Sequence, residues 1–569
     1  MPMRGARYLA ETLQSYGVTN VFFVPTILSA TLAEMEATGI KRVLTHGEKA
    51  AAYMADGYAR VTGRPGVCLA QQIGASNLAA GLRDPWLARS PVIALVGTTS
   101  AQNRNRTVYQ QVDDLDQFRP VTKWAARVEN LADLPQALHQ AFREATSGSP
   151  GPVVLQLPGH FGETIENGSA EIRVEADKRF ARVPAFRPRA EQDAVKAALQ
   201  RLSEAERPVI VAGGGARHSQ AGAALVAFAE RLQIPVATSM NAKALMPAGH
   251  PLSAGVIGTY SRESANRTIA EADVVFFVGS GTGSQVTTNW KLPGANAKII
   301  QLDIDPHELG RHYFGGVLLL GDVKVTLEEM AALASDSARG RDAWTRRVKQ
   351  LRDDWYASEA KLLGSDAVPI RPERIFAELN GVLGRDAVVA VDTGHAGMWG
   401  ATYLDLNQPG QDFIRAAGSL GWGLPAAIGA KLAAPERPVV LFTGDGGLWY
   451  HLSELETAAR VGANVVIVVN NNNCLNQEYE VYKEAYGGEL RGNHHELWHF
   501  RHVNFANMAE SMGAFGVRVE RPADIRAALK EALLQNRPSV VEIMSDPDAL
   551  APLAYTGGAH RMSYTGGNA

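Results

Sequence analysis

Cysteine is almost absent: Cys68 and Cys474 are the only two among 569 residues. That is too few for a disulfide scaffold and fits a reducing cytoplasm. No apolar run approaches the roughly 20 residues that span a bilayer as a helix. Charge of one sign is lacking as well, with 56 Lys plus Arg against 59 Asp plus Glu and a formal net charge of −3. Such a balance leaves no electrostatic footprint for nucleic acid or an anionic membrane surface. The start, Met-Pro-Met-Arg-Gly-Ala-Arg, runs into an amphipathic helix without a signal-peptide core. The expectation is a soluble cytoplasmic protein with neither nucleic-acid nor membrane partners. Hydrophobic residues at 46% and charged ones at 20% are ordinary for a globular chain and exclude disorder or a coiled coil. At roughly 100–200 residues per domain, the length predicts three or four domains.

What is present is alternation. Short apolar runs such as Val67–Ala70, Val92–Val96, Val209–Val211, Val274–Val278, Val439–Phe442 and Val465–Val469 alternate with helical stretches. Runs without polar alternation are buried on both faces, which predicts parallel α/β sheets covered by helices. Polar stretches at about 162–192 and 335–372 divide the chain into three α/β blocks. Blocks one and three echo each other: Arg64-Pro65 and Arg437-Pro438 each precede an apolar run, and 26 residues after each Arg, at Ser90 and Ala463, the next run opens. Matched spacing predicts two copies of one supersecondary plan.

In block three a strand-like Leu441-Phe442-Thr443 leads into Gly444-Asp445-Gly446-Gly447, with a helix expected from about Leu448 to Arg460. Glycines let backbone N–H groups approach an anion, and Asp445 is a hard oxygen donor. The next strand ends in Asn470-Asn471-Asn472-Asn473-Cys474. Adjacent parallel strands would put an Asp and an Asn at one carboxyl edge, where open α/β sheets bind ligands. An Asp, an Asn oxygen and a carbonyl, completed by phosphate oxygens and water, suit octahedral Mg²⁺. Alone, a Gly-Asp-Gly is usually a tight turn and an Asn run a polar loop. The pair at this spacing resembles the thiamine diphosphate (ThDP) enzymes, whose fingerprint is Gly-Asp-Gly, 24 to 27 residues, then Asn-Asn. Here residues 447 to 470, 24 in all, separate Gly444-Asp445-Gly446 from Asn471-Asn472. The resemblance implies Mg²⁺ held by Asp445, Asn472 and the Cys474 carbonyl. Asn472 is preferred within the four-Asn run because Leu475 then occupies a position that is apolar in acetolactate synthase relatives.

The resemblance covers nearly the whole chain and is closest to the acetolactate synthase-like branch. Asp392-Thr393-Gly394-His395 is similar to the family's diphosphate-contacting Asp-x-Gly-x-His. Gly418-Ser419-Leu420-Gly421-Trp422-Gly423-Leu424-Pro425-Ala426-Ala427 resembles Gly-Thr-Met-Gly-Phe-Gly-Leu-Pro-Ala-Ala. It implies Leu420 as the wedge between the cofactor's rings, the Gly418 carbonyl as acceptor for the 4′-amino group, and Gly394, His395, Gly446 and Gly447 as further cofactor contacts. Glu48 to Arg60 aligns without gaps on Glu-x-x-Ala-Ala-x-x-Ala-x-Gly-Tyr-Ala-Arg. A carboxylate beside the aminopyrimidine N1′ is what this cofactor needs to generate its ylid. Tyr109-Gln110 matches a synthase Phe-Gln, making Gln110 a candidate for orienting the bound intermediate.

The implied fold is three doubly wound parallel-sheet domains: pyrimidine-binding at 1–180, Rossmann-like central at 190–335, and diphosphate- and Mg-binding at 365–550. A glycine-rich tail, 551–569, is expected to be flexible, with a lid over the site as the sharper idea. The implied reaction is ylid and then enamine chemistry on a small carbonyl substrate. A 2-oxo acid decarboxylase and carboligase comes first, and a 2-hydroxyacyl-CoA or acyloin lyase is the alternative. In the family the site is shared between subunits, implying a homodimer at least, with a tetramer admissible.

Departures put the substrate in doubt. The family's Val-Pro-Gly reads Val24-Pro25-Thr26-Ile27, and its Ser-Gly-Pro-Gly-Ala-Thr-Asn reads Gln71-Gln72-Ile73-Gly74-Ala75-Ser76-Asn77. Thr26, Ile27, Gln71 and Gln72 become weak substrate candidates. An apolar Ile27 offers no proton, which favours carboligation over aldehyde release. In block two, Gly213-Gly214-Gly215 lacks the dinucleotide spacing, because His218 holds the third-glycine position. Leu302-Asp303-Ile304-Asp305-Pro306 resembles a strand end near bound FAD or ADP, but the flavin-associated Arg is missing from Gly279–Ser284. FAD is therefore not favoured over an adenine nucleotide or an empty domain. Finally, His495-Glu496-Leu497-Trp498-His499 is a literal HExxH. A zinc hydrolase is the remote alternative, beside a ThDP-fold protein without turnover.

Overall fold

The computed structural model describes residues 2–334 and 340–552. β1 (Met3–Arg4) is followed by β2 (Asn20–Phe23), β3 (Lys41–Leu44), β4 (Gly66–Ala70), β5 (Val92–Thr98), β6 (Trp124–Arg127) and β7 (Val153–Pro158). Strands β2 to β7 form a six-stranded sheet in the order β3-β2-β4-β5-β7-β6, while β8 (Ser169–Ala170) returns antiparallel to β1. The central domain holds β9 (Pro208–Ala212), β10 (Val236–Thr238), β11 (Ser253–Val256), β12 (Val274–Val278), β13 (Lys298–Asp303) and β14 (Val317–Leu320), ordered β11-β10-β9-β12-β13-β14. The third sheet holds β15 (Val388–Val391), β16 (Asp412–Arg415), β17 (Val439–Gly444), β18 (Val465–Asn471), β19 (Phe515–Val519) and β20 (Ser539–Met544), ordered β16-β15-β17-β18-β20-β19. All pairings within the three sheets are parallel. Renumbered within each domain, sheets one and three both read 2-1-3-4-6-5, whereas the central sheet reads 3-2-1-4-5-6, the Rossmann order. The echo between blocks one and three is therefore a shared topology that the middle block lacks.

The inner strands are buried on both faces, as their unbroken apolar runs require. One apolar core crosses the boundary between domains one and three, joining Ala51, Tyr53 and Ala55 to Trp422, Ala426 and Ile428. Its centre is the crossing of two helices, Glu48–Thr62 and Gly423–Ala433. Backbones meet there: a Cβ on Gly57 would lie 2.0 Å from the Ala426 carbonyl oxygen, and one on Gly429 would lie 2.0 Å from that of Met54. Only glycine permits that approach. The two contacts also fix the helices as antiparallel.

The polar stretch at 335–372 carries a 22-residue helix, Asp342–Leu363. Its Trp344 donates to the Pro208 carbonyl at 2.9 Å, while Trp355 packs on Tyr403, so the helix straps the central domain to the third. The helix expected from Leu448 to Arg460 is broken into Asp445–Trp449 and Glu454–Val461. The segment 553–569, with the lid idea attached to it, lies outside the described residues.

Candidate active site

In the third sheet the strand order reverses between β15 and β17, the switch point where doubly wound sheets bind ligands. Asp392, Asp445 and Asn472 emerge there from the ends of β15, β17 and β18. Gly444 and Asn470 are in register, so the residues beyond them leave the sheet side by side. Asp445 is buried, and the backbone amides of Gly446, Asn472 and Cys474 stabilise its carboxylate. Burial nevertheless pushes its carboxyl up to about 7. The three residues expected at Mg²⁺ thus gather at one edge, where the Cys474 N–H also meets the Asn472 side-chain oxygen at 3.3 Å.

The Asn run divides its duties. Asn471 is fully buried and donates to Glu542 at 2.7 Å, so its amide is spent on the sheet. Asn472 keeps an oxygen at the edge, accepting only a long 3.3 Å contact from the Cys474 N–H. The Asn470 amide oxygen is buried with no hydrogen-bond partner among the described residues. Burial pushes the Cys474 thiol up to about 12, so this residue offers a backbone carbonyl and no thiolate. An acid, an amide oxygen and a carbonyl are hard oxygen donors, a set that fits Mg²⁺.

The HExxH segment has another occupation. His494–Leu497 is a single 3-10 turn and Trp498 leaves helical geometry at φ −153°, so the motif sits on one isolated turn, closed by the His499 N–H on the His495 carbonyl at 2.9 Å, and on no helix. Its end instead pairs with the loop after β18: Leu475 donates to the Trp498 carbonyl and Phe500 to that of Asn473, both at 2.8 Å. Among the described residues no group of three His, Cys, Asp or Glu could hold a metal ion. The zinc-hydrolase reading is withdrawn.

Around β15, the Asp392 carboxylate accepts from the backbone N–H of Thr393 at 2.8 Å and of Gly421 and Gly423 at 3.1 Å each. It ties the 418–423 turn to the loop after β15, a role its motif did not reveal. Gly394 has φ 70° and ψ −146°, and His395 begins the helix His395–Tyr403. Burial lowers His395 to about 4, so its imidazole is neutral at neutral pH. Leu420 is 38% exposed beside the fully buried Trp422, which rules out ordinary core packing for it. Space beside Gly418 is open, with no atom within 4 Å of a Cβ built there. A Cβ on Gly446 would strike Leu475 at 2.5 Å and one on Gly447 would strike the Thr443 hydroxyl at 2.7 Å, so both keep the loop close-packed.

In domain one, Glu48 is half-buried at the start of its helix and accepts from the Asn77 amide at 3.3 Å. Gly74 makes room for it, since a Cβ there would lie 2.3 Å from the Glu48 carboxylate. Further along the helix, Asp56 bonds Trp422 and Arg60 bonds the Arg415 carbonyl. Glu48 precedes Asp56 by eight residues, about 12 Å of helix rise. Among the described residues its one side-chain hydrogen bond stays within its own domain. Gln110 is half-buried with φ 62°, beside the exposed Tyr109. The four substrate candidates separate. Thr26 is exposed, and Gln71 is half-buried, reaching the Pro25 carbonyl at 3.4 Å. Ile27 is fully buried in the domain-one core. Gln72 is buried and spent on Thr99 and the Val112 carbonyl. In this structure Ile27 and Gln72 thus pack within domain one.

The central domain has a cavity of about 410 Å³ at its own switch point, lined by Gly214, Gly215, His218, Asp303 and Glu308. Burial raises Asp303 to about 6 and lowers His218 to about 4. The His218 ring nitrogen lies 3.2 Å from the Ala88 carbonyl, so the residue at the third-glycine position closes onto domain one.

Comparison with known proteins follows the same division. Residues 3–118 match the thiamine pyrophosphate enzyme N-terminal TPP binding domain, 195–330 the central domain, and 392–543 the C-terminal TPP binding domain. The chain is 32% identical to the probable acetolactate synthase large subunit of Methanocaldococcus jannaschii, covering 98% of this chain and 94% of that one. It is 30% identical to the acetolactate synthase isozyme 3 large subunit of Escherichia coli, covering 98% and 97%. With the acetolactate synthase large subunit of Haemophilus influenzae it shares 29% identity over the same proportions.

Proposed function

Because the chain belongs to the thiamine pyrophosphate enzymes, in the acetolactate synthase large-subunit family, we propose that it is a ThDP- and Mg²⁺-dependent carboligase of 2-oxo acids. The observation that carries the Mg²⁺ reading is buried Asp445 gathered with Asn472 and the Cys474 backbone at a switch point. Bound ThDP would supply a nucleophilic carbon and an electron sink beside a carbonyl. Asp445, Asn472 and the Cys474 carbonyl would hold Mg²⁺. Gly394, neutral His395, Gly446 and Gly447 would line the diphosphate. Leu420 and the Gly418 carbonyl would seat the rings, and Glu48 would hold a proton at the pyrimidine N1′. Gln110 would orient the small carbonyl substrate, with Thr26 and Gln71 as the accessible neighbours from domain one.

Among the described residues no hydrogen bond joins Glu48 to the Gly418–Leu420 turn, and in the family the site is shared between subunits, which supports a site completed by a second copy. Exposed apolar side chains on both halves, Ile73 and Tyr109 in domain one and Leu420, Trp449 and Tyr450 in domain three, support a covered face and hence a homodimer. Two free, buried cysteines support a reducing cytoplasm. The missing flavin-associated Arg leaves FAD disfavoured in the central cavity, so the purified protein is expected to show no flavin absorbance; a stoichiometric flavin spectrum would contradict this.

With ThDP and Mg²⁺, pyruvate is expected to give acetolactate or acetoin in excess over acetaldehyde. Benzoylformate, benzoin and a 2-hydroxyacyl-CoA belong in the same panel. Acetaldehyde as sole product from pyruvate, or turnover of the CoA thioester alone, would defeat the carboligase reading.

A further inference from the structure

The turn that carries Gly418 and Leu420 has no regular hydrogen bonding of its own, yet it must hold a carbonyl and an exposed leucine in fixed positions. Two of its backbone N–H groups, those of Ala417 and Ser419, are satisfied from another domain. Asp84, on the helix Ala75–Ala88 of domain one, accepts from Ala417 N–H at 2.7 Å with one carboxylate oxygen and from Ser419 N–H at 3.1 Å with the other. The carboxylate is fully buried and meets the Arg60 guanidinium at 3.1 Å. Arg60 also holds Asp56 and the Arg415 carbonyl, and lies 4.5 Å from the Trp422 ring. Asp56 in turn accepts from the Trp422 indole at 2.8 Å. Residues on both sides of Gly418 and Leu420 are thus tied to one charged cluster in domain one.

We propose that Asp84 is a positioning residue that sets the Gly418–Leu420 turn for its cofactor. The inference rests on the ThDP reading above. A buried carboxylate with two charge-assisted bonds to alternate amides fixes both the height and the tilt of the residue between them. Arg60 prevents the carboxylate from rotating away, and its own orientation is held by Asp56. Asp84 touches neither substrate nor cofactor edge, and its influence passes through Gly418 and Leu420 alone. Diphosphate and metal contacts depend on other loops, after β15, β17 and β18. Orientation of the rings should therefore suffer while binding survives.

Asp84→Asn tests this, because the amide keeps the shape but turns an N–H₂ toward one of the two backbone donors. Glu166→Gln is the control, a buried carboxylate of domain one that accepts from the Thr31 N–H at 3.1 Å and bonds neither the turn nor the Arg60 cluster. Three readings are taken with ThDP and Mg²⁺: C2–H exchange of the bound cofactor, ThDP affinity by tryptophan fluorescence, and the melting midpoint of the cofactor-free protein. We expect Asp84→Asn to slow exchange about 10- to 100-fold, the scale of an ångström-level misplacement, with ThDP affinity nearly retained. Glu166→Gln should lower the midpoint comparably and leave exchange at the wild-type rate. If Asp84→Asn does not fold, Asp84→Glu, which keeps the charge but lengthens the arm, carries the same expectation. Wild-type exchange in the Asp84 variant, or equal slowing in both variants, overturns the positioning role alone. Wild-type protein that binds no ThDP overturns the cofactor reading first.

Discussion

Glu48→Gln is expected to abolish measurable C2–H exchange of bound ThDP and to lower turnover by about 10²- to 10⁴-fold, the usual contribution of a positioned acid or base. The substitution is nearly isosteric and removes only the group that can hold a proton at N1′. Folding should not suffer, because Glu48 is half-buried and its side chain makes one long contact, 3.3 Å from Asn77. A glutamine still hydrogen-bonds the pyrimidine, so the affinity loss reflects a charged bond replaced by a neutral one. That difference is about 1 kcal/mol, or about fivefold in Kd. Exchange by quenched NMR and affinity by titration separate the two effects. Unchanged exchange would remove Glu48 from the reaction, and a large loss of affinity with normal exchange would make it a binding group instead.

What was legible in the sequence was what is local. Strand runs such as Val92–Thr98 and Val465–Asn471 could be read because strands buried on both faces leave no polar alternation. The spacing from Asp445 to the Asn run could be read because it measures one strand–helix–strand unit between neighbouring parallel strands. Which Asn serves the edge could not be derived from that spacing. It depends on Glu542, 71 residues from Asn471, drawing one amide into the sheet. Asp84 and Asp392 were opaque for a similar reason. Their partners are backbone amides, 333 residues away between Asp84 and Ala417, and amides carry no side-chain signature. The helix Asp342–Leu363 was hidden within a polar stretch because only Trp344, Val348, Leu351 and Trp355 mark its apolar stripe among charges. HExxH misled because its i, i+4 reading presumes an α-helix, whereas the segment forms a 3-10 turn.

Domains one and three share a strand order, and each presents its functional residues beyond strand carboxyl ends: Glu48 after β3 and Asp445 after β17. Inside one chain these two domains pack through the antiparallel crossing at Gly57 and Gly429 and through the loop before Glu48, where the His46 N–H donates to Glu454 at 2.9 Å. The Asp56 and Arg60 end of the same helix steadies the chain's own turn.

Asp445→Asn is expected to lower Mg²⁺ affinity by at least about 100-fold, since hard divalent cations depend on ligand charge and the two neighbouring donors are neutral. Thermal unfolding gives the clearest signature. Without cofactor, two effects oppose each other: a buried carboxylate, whose carboxyl burial holds near 7, is replaced by a neutral group, but an amide N–H₂ then faces one of the backbone donors at Gly446, Asn472 or Cys474. The cofactor-free midpoint should therefore move little. With cofactor the signs no longer cancel. At about 100 times its Kd, a ligand that binds only the folded state stabilises it by about 2.7 kcal/mol. The wild-type protein should show that upward shift when ThDP and Mg²⁺ are added together, and Asp445→Asn should show almost none at the same concentrations. A variant that melts like the wild type in both conditions would remove Asp445 from the metal site. One that unfolds early without cofactor would mark it as a structural carboxylate instead.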